Sequence, residues 1–189
     1  MTSAPIAVFL GLILLAACAS ATIVEQQVGS YDVSFDLTNS SLFLNSSASF
    51  WDESDPVSSY GIVSIVEKAH PEVEKAVIWI EYSKYGMVYS ASGEASSLKD
   101  AGWDDVYTSK RVIDGDPNGI LTVAKNKTLN SIYYSAGYQL DKNTVVHIDS
   151  WLPMDGETGD LLDTIHVAEA LSDRSMTEKL KRDLLNNRA

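Results

Sequence analysis

The sequence predicts an α+β protein in which helices cover an antiparallel β-sheet, and three observations carry that reading. Tyr31, Val33, Phe35 and Leu37 alternate with Asp32, Ser34 and Asp36, the period-two pattern of a strand with one buried face. Four strand-like runs then follow one another between Ser109 and Leu152, broken by turn-forming residues at Asp114–Gly119 and Asp141–Asn143. Finally, Leu161, Leu162, Ile165 and Ala168 fall on one helical stripe within Asp160–Leu171, with Asp160 able to cap it. Consecutive strands closed by a one-sided helix bury both apolar surfaces when the helix lies on the sheet.

The elements are expected in this order. After the strand at Tyr31–Leu37, a serine-rich passage from Thr38 to Asp55 holds a loop and a short strand around Leu42–Leu44. Tyr60–Val66 and Lys75–Tyr82 read as strands, with His70-Pro71-Glu72 as the break between them. Ala95–Trp103 reads as a short helix, followed by strands at Ser109–Ile113, Ile120–Ala124, Ile132–Leu140 and Thr144–Leu152. The order of an opening Tyr31-Asp32-Val33-Ser34-Phe35 strand, a middle helix, a late Ile113-Asp114-Gly115 hairpin and a closing Leu161–Val167 helix resembles the PsbP-like α/β/α sandwich. That superfamily includes exported and lipid-anchored proteins, many without known chemistry. The likeness covers Tyr31–Leu171 by element order, supplies no site residue, and does not include the serine-rich insertion.

Residues 1–21 read as a cleavable signal peptide. Ile6–Ala17 is an unbroken apolar run of twelve residues, the length of a signal-peptide core and too short to span a bilayer. No Lys or Arg precedes it, a departure from the usual positive n-region. Leu15-Ala16-Ala17-Cys18 resembles the lipobox of exported lipoproteins, and the resemblance implies acylation of Cys18 and attachment to the membrane. Ala19-Ser20-Ala21 is equally a small-x-small site, so cleavage after Ala21 and simple secretion stand beside it. Cys18 is the only cysteine, so the exported body is stabilised by its core without an internal disulfide.

The domains are therefore 1–21, the leader; 22–171, one α+β domain; and 172–189, a basic amphipathic helix with Met176, Leu180 and Leu184 on one side. The whole chain has 189 residues, 45% hydrophobic and 21% charged, which are globular values. Its net charge of −12 disfavours nucleic acid and anionic lipid as ligands of the domain surface. The basic tail is expected to dock on the acidic body. Sequons at Asn39, Asn45 and Asn126 read as surface loops and as glycosylation sites where the host modifies exported proteins.

No catalytic constellation emerges. His147 and Asp149 share a strand face, yet Ser150 points the other way and no Gly-x-Ser-x-Gly elbow surrounds Ser135. His166 is assigned to the closing helix. Asp114, Asp116 and Asn118 match the first half of a calcium loop, but position twelve is Lys125 rather than a bidentate glutamate, and the same residues are ordinary turn formers. Four tryptophans and nine tyrosines suit either a sheet core or a sugar platform. No cofactor is expected. The expected function is an extracytoplasmic, non-catalytic binding or assembly domain, tethered to the membrane and contacting an envelope protein or small ligand. A secreted hydrolase or carbohydrate-active protein using Asp149 with Asp155 or Glu157, and a calcium-stabilised adhesion module, are the alternatives.

Overall fold

A computed structural model describes residues 22–39, 41–50 and 59–170; the leader with Cys18 and the expected tail helix lie outside the described residues. Ten strands and two helices follow in the order Thr22–Val28 (β1), Tyr31–Leu37 (β2), Leu42–Phe50 (β3), Ser59–Glu67 (β4), His70–Tyr82 (β5), Ala91–Asp100 (α1), Asp105–Lys110 (β6), Ile120–Asn126 (β7), Ser131–Gln139 (β8), Thr144–Ser150 (β9), Glu157–Thr164 (α2) and His166–Glu169 (β10). Every strand pairing is antiparallel. The α+β class thus stands, with far more sheet than helix.

The sheets are two. A seven-stranded sheet runs β3-β4-β5-β9-β8-β7-β6, two meanders joined where β5 pairs with β9. A three-stranded sheet, β1-β2-β10, packs over one of its faces together with α2. Alternation decides which residues meet there: Val33 and Phe35 from β2, Ile78 and Ile80 from β5, Val146 and Ile148 from β9, and Leu161 and Leu162 from α2. The hairpin lies so close that a Cβ on Gly61 of β4 would sit 2.5 Å from Val28 Cγ1. Tyr31 Oη and Thr144 Oγ1 close the seam with a buried 2.8 Å hydrogen bond.

On the opposite face, α1 covers Ala124 and Tyr133 through Leu98. Ser90 caps α1, its hydroxyl accepting the Gly93 N–H at 3.2 Å, and Glu94 occupies the first turn, where a negative charge complements the helix dipole.

Several boundaries differ from the sequence expectation. The middle helix starts at Ala91 rather than Ala95, because Ser90 caps it. The strand expected at Ser109–Ile113 is Asp105–Lys110, and Ile113 instead bridges Asp116 across a tight turn. His70 opens β5 instead of breaking it; the turn is at Lys68–Ala69, and the irregularity is absorbed by register shifts beside Val66. The strand around Leu42–Leu44 extends to Phe50 through a bulge at Asn45. The largest correction concerns Asp160–Leu171. The helix covers Glu157–Thr164 and ends at Ile165, whose φ of −58° and ψ of 135° are extended, and His166–Glu169 forms β10 against β2. Thr164, Ile165 and Val167 are β-branched and weak helix formers, so pairing with an unsatisfied β2 edge outweighs the helical stripe.

Candidate functional site

The outer face of the small sheet carries a groove of about 410 Å³, lined by Glu25, Gln27, Asp32, Ser34, His166 and Ala168 among others. Register places these side chains together: Glu25 pairs with Ser34, which pairs with His166, while Gln27 pairs with Asp32, which pairs with Ala168. Directly opposed residues on one face have Cβ atoms about 4.5–5.5 Å apart, so Ser34 and His166 are immediate neighbours.

His166 is held from below. Its Nδ1 lies 2.7 Å from Asp114 Oδ1, and Asp114 Oδ2 accepts hydrogen bonds from Tyr138 Oη and the Val167 N–H, each at 2.9 Å. The Asp114 side chain is 9% exposed and that of His166 is 65% exposed, so a sheltered carboxylate orients an exposed imidazole. With Nδ1 as the donor to Asp114, Nε2 is the nitrogen left for a ligand. Asp114 reaches β10 because its backbone is left-handed, φ 50°, a conformation Asp tolerates better than most residues.

The partial calcium loop is thus a turn and a tie. Asp116 accepts the Asn118 N–H at 2.8 Å, while the oxygens of Asp114 face Tyr138, His166 and β10. Among the described residues, no group of three or more His, Cys, Asp or Glu is placed to hold a metal ion.

A second polar cluster lies beneath α1. As expected, His147 and Asp149 share one face, and Ser150 points to the other, where it bonds Thr158 at 2.7 Å. The neighbouring strand supplies what was missing: Ser135 pairs with Asp149 and shares a 2.7 Å hydrogen bond with His147 Nε2. That same nitrogen lies 3.7 Å from Asp149 Oδ1 and 4.0 Å from Glu94 Oε2. A catalytic triad needs the acid on one imidazole nitrogen and the serine on the other, and Ser135 is fully buried. This cluster is a packed network. Asp149 is further fixed by Tyr133 Oη at 2.6 Å and Trp79 Nε1 at 3.1 Å.

Of the paired acids, Asp149 and Glu157 are not brought together. Asp149 faces α1, whereas Glu157 begins α2 on the other side of the large sheet and accepts from Asn39 Nδ2 at 2.6 Å. Asn39 is therefore partly buried and engaged, Asn45 is exposed at the β3 bulge, and Asn126 accepts the Leu129 N–H. Trp103, Tyr133 and Trp151 form a contiguous row, but the rings are inclined by 33° and 49° rather than coplanar.

Burial raises the Tyr31, Tyr89, Tyr133 and Tyr138 hydroxyls above the ordinary tyrosine value, with Tyr89 pushed up to about 12. Neighbouring negative charge adds to the rise, from Glu94 at Tyr89, Asp149 at Tyr133 and Asp114 at Tyr138. The folded state holds these protons more tightly than the unfolded chain does. Their contribution is complete below pH 10 and is lost as pH rises through the folded values. Alkaline titration followed by tyrosinate absorbance is expected to show these four ionising together with loss of the fold; smooth ionisation of all nine tyrosines before unfolding contradicts it.

No family model, curated protein or solved structure matches the chain.

Proposed function

We propose that the protein is an extracytoplasmic, non-catalytic binding domain, tethered through an acylated Cys18, whose ligand face is the groove on the three-stranded sheet. One observation carries this: the sheltered Asp114 fixes an exposed His166 so that it presents Nε2 beside Ser34, on the face that also carries Glu25 and Asp32. Preset donors and acceptors in a concavity suit recognition, since little side-chain entropy remains to be lost on binding. The architectural part of the reading is a PsbP-like sandwich, supported by the placement of one helix on each side of a large antiparallel sheet. The export and tether readings rest on the apolar run and the lipobox resemblance.

Photo-crosslinking in intact envelopes tests the face. A reactive side chain at Ser34 is expected to capture a partner that one at Lys99, on α1, does not; equal capture removes the groove from the proposal. Mass spectrometry of the mature amino terminus tests the tether, and an unmodified Thr22 there eliminates it.

A hydrolytic second reading is favoured by one feature, the Asp114 carboxylate on His166 Nδ1 with Ser34 opposite, the order a triad requires. Binding is preferred because Ser34 lies on the stretch of β2 that is paired on both sides, with the backbone there committed to ladders instead of an oxyanion. Accordingly, a fluorophosphonate probe is expected to leave Ser34 unmodified. A Ser34 adduct that disappears in His166→Ala replaces binding with acyl transfer.

A further inference from the structure

β6 forms one border of the seven-stranded sheet, and its residues from Tyr107 to Lys110 are all exposed. An open border is a template for further strands unless something blocks it. At the opposite border β3 carries a register shift beside Asn45, a bulge of the kind that interrupts pairing. β10, at the edge of the small sheet, has only four residues. β6 has neither safeguard: its register against β7 is unbroken over six residues, and it contains no proline.

The ladder fixes which backbone groups are free. The Arg111 N–H donates to the Gly119 carbonyl at 2.8 Å, and hydrogen-bonded positions alternate along an antiparallel pair. Tyr107 and Ser109 therefore bond β7, while the N–H and C=O of Val106, Thr108 and Lys110 point away from it. Among the described residues, β7 is the only strand paired with β6, and no loop backbone bonds those three. The charges along this border are self-complementary. Asp104 and Asp105 precede the uncharged stretch Val106–Ser109, and Lys110 and Arg111 follow it, so the reversed segment sets its bases against its own acids. Arg111 is held by Asp163 at 2.6 Å, whereas Lys110 has no ion pair or side-chain hydrogen bond among the described residues.

We propose that β6 is a homodimer interface, at which a second copy lays its own β6 antiparallel to this one about a two-fold axis at Thr108. In that register Thr108 opposes Thr108, Val106 opposes Lys110, Tyr107 opposes Ser109 and Asp105 opposes Arg111. The outward positions coincide, so each free N–H meets a free C=O and the large sheet runs on through both copies. Lys110 stands diagonally across from Asp104 of the second copy, within reach of a long side chain. Val106, Tyr107 and Thr108 are β-branched or aromatic, the residue types that suit strand pairing. Charge selects this border as well. The chain carries −12 overall, yet Asp104–Arg111 is neutral, so two copies meet here without the repulsion that the acidic surface imposes elsewhere. No groove residue belongs to β6, so the dimer does not rest on the binding reading.

Sedimentation velocity of the protein purified from its host, over a wide range of concentration, is expected to show monomer giving way to dimer. Thr108→Pro removes an outward N–H and leaves the ladder to β7 intact, since proline is tolerated on an edge strand when its missing donor faces solvent. That variant is expected to stay monomeric with an unaltered circular-dichroism spectrum. Lys110→Glu, at an exposed side chain, is expected to weaken the dimer about tenfold, because two symmetric contacts turn repulsive. Thr108→Cys is expected to form a disulfide-linked dimer on mild oxidation, beyond any that the native Cys18 gives in the unaltered protein. A protein that is monomeric at every concentration overturns the proposal. So does a dimer that a folded Thr108→Pro does not weaken; should that variant fail to fold, an undiminished dimer in Lys110→Glu is the overturning result.

Discussion

Phe35→Ala is expected to lower the melting temperature by roughly 10 °C, the largest effect of any single truncation in the small sheet. Phe35 is 1% exposed at the centre of β2, paired with Val24 of β1, and belongs to the cluster that joins both sheets and α2. Removing a buried phenyl ring costs about 3–5 kcal/mol, because transfer energy is lost and a cavity remains that rigid neighbours fill only in part. For a domain of this size each kcal/mol is worth about 2–4 °C. Collapse into the cavity is restricted on the β4 side, where Val28 already presses on Gly61. Thermal melting by circular dichroism measures the loss. A shift below about 3 °C means that the three-stranded sheet is an accessory to the large one rather than half of a shared core.

The part of this fold legible in the sequence is the part governed by local alternation. Tyr31–Leu37 is a strand with Val33 and Phe35 inward because apolar and polar residues simply alternate. The turns at Asp114–Gly119 and Asp141–Asn143 carry residues whose own backbone preferences define them. What was hidden depends on partners far along the chain. His166–Glu169 carries a helical stripe and becomes a strand only because β2 offers an edge more than 100 residues earlier. The groove follows from that same pairing, because only a strand at His166–Glu169 sets His166 opposite Ser34. Ser135 is a milder case. Pairing β8 with β9 across the Asp141–Asn143 turn places it opposite Asp149, and counting back from that turn recovers the contact. The sequence pattern shows Asp114 as an oxygen ligand, whereas its structural role rests on a left-handed backbone that aims the carboxylate at β10.

Asp114→Ala tests that role. Three donors lose their acceptor together: the Tyr138 hydroxyl, whose residue is 2% exposed, the Val167 N–H and the His166 Nδ1–H. A buried donor left without an acceptor costs about 1–3 kcal/mol, and the exposed imidazole recovers its share from water. Alanine at a φ of 50° adds about 1–2 kcal/mol of backbone strain. The combined loss is expected to be about 3–8 kcal/mol, and its location matters more than its size. β10 is a four-residue edge strand held by β2 on one side and by the Asp114 carboxylate beneath it. The Val167 amide is therefore expected to lose hydrogen-exchange protection before the amides of β5 and β9 do. Asp114→Asn keeps the shape, one acceptor oxygen and the tolerance for left-handed backbone, so it is expected to recover more than half of the stability. It does not recover the charge that orients His166, which separates the anchoring of β10 from the presentation of the imidazole to the groove. If Val167 remains as protected in Asp114→Ala as in the unaltered protein, the carboxylate is not what fastens β10, and His166 owes its orientation to the strand alone.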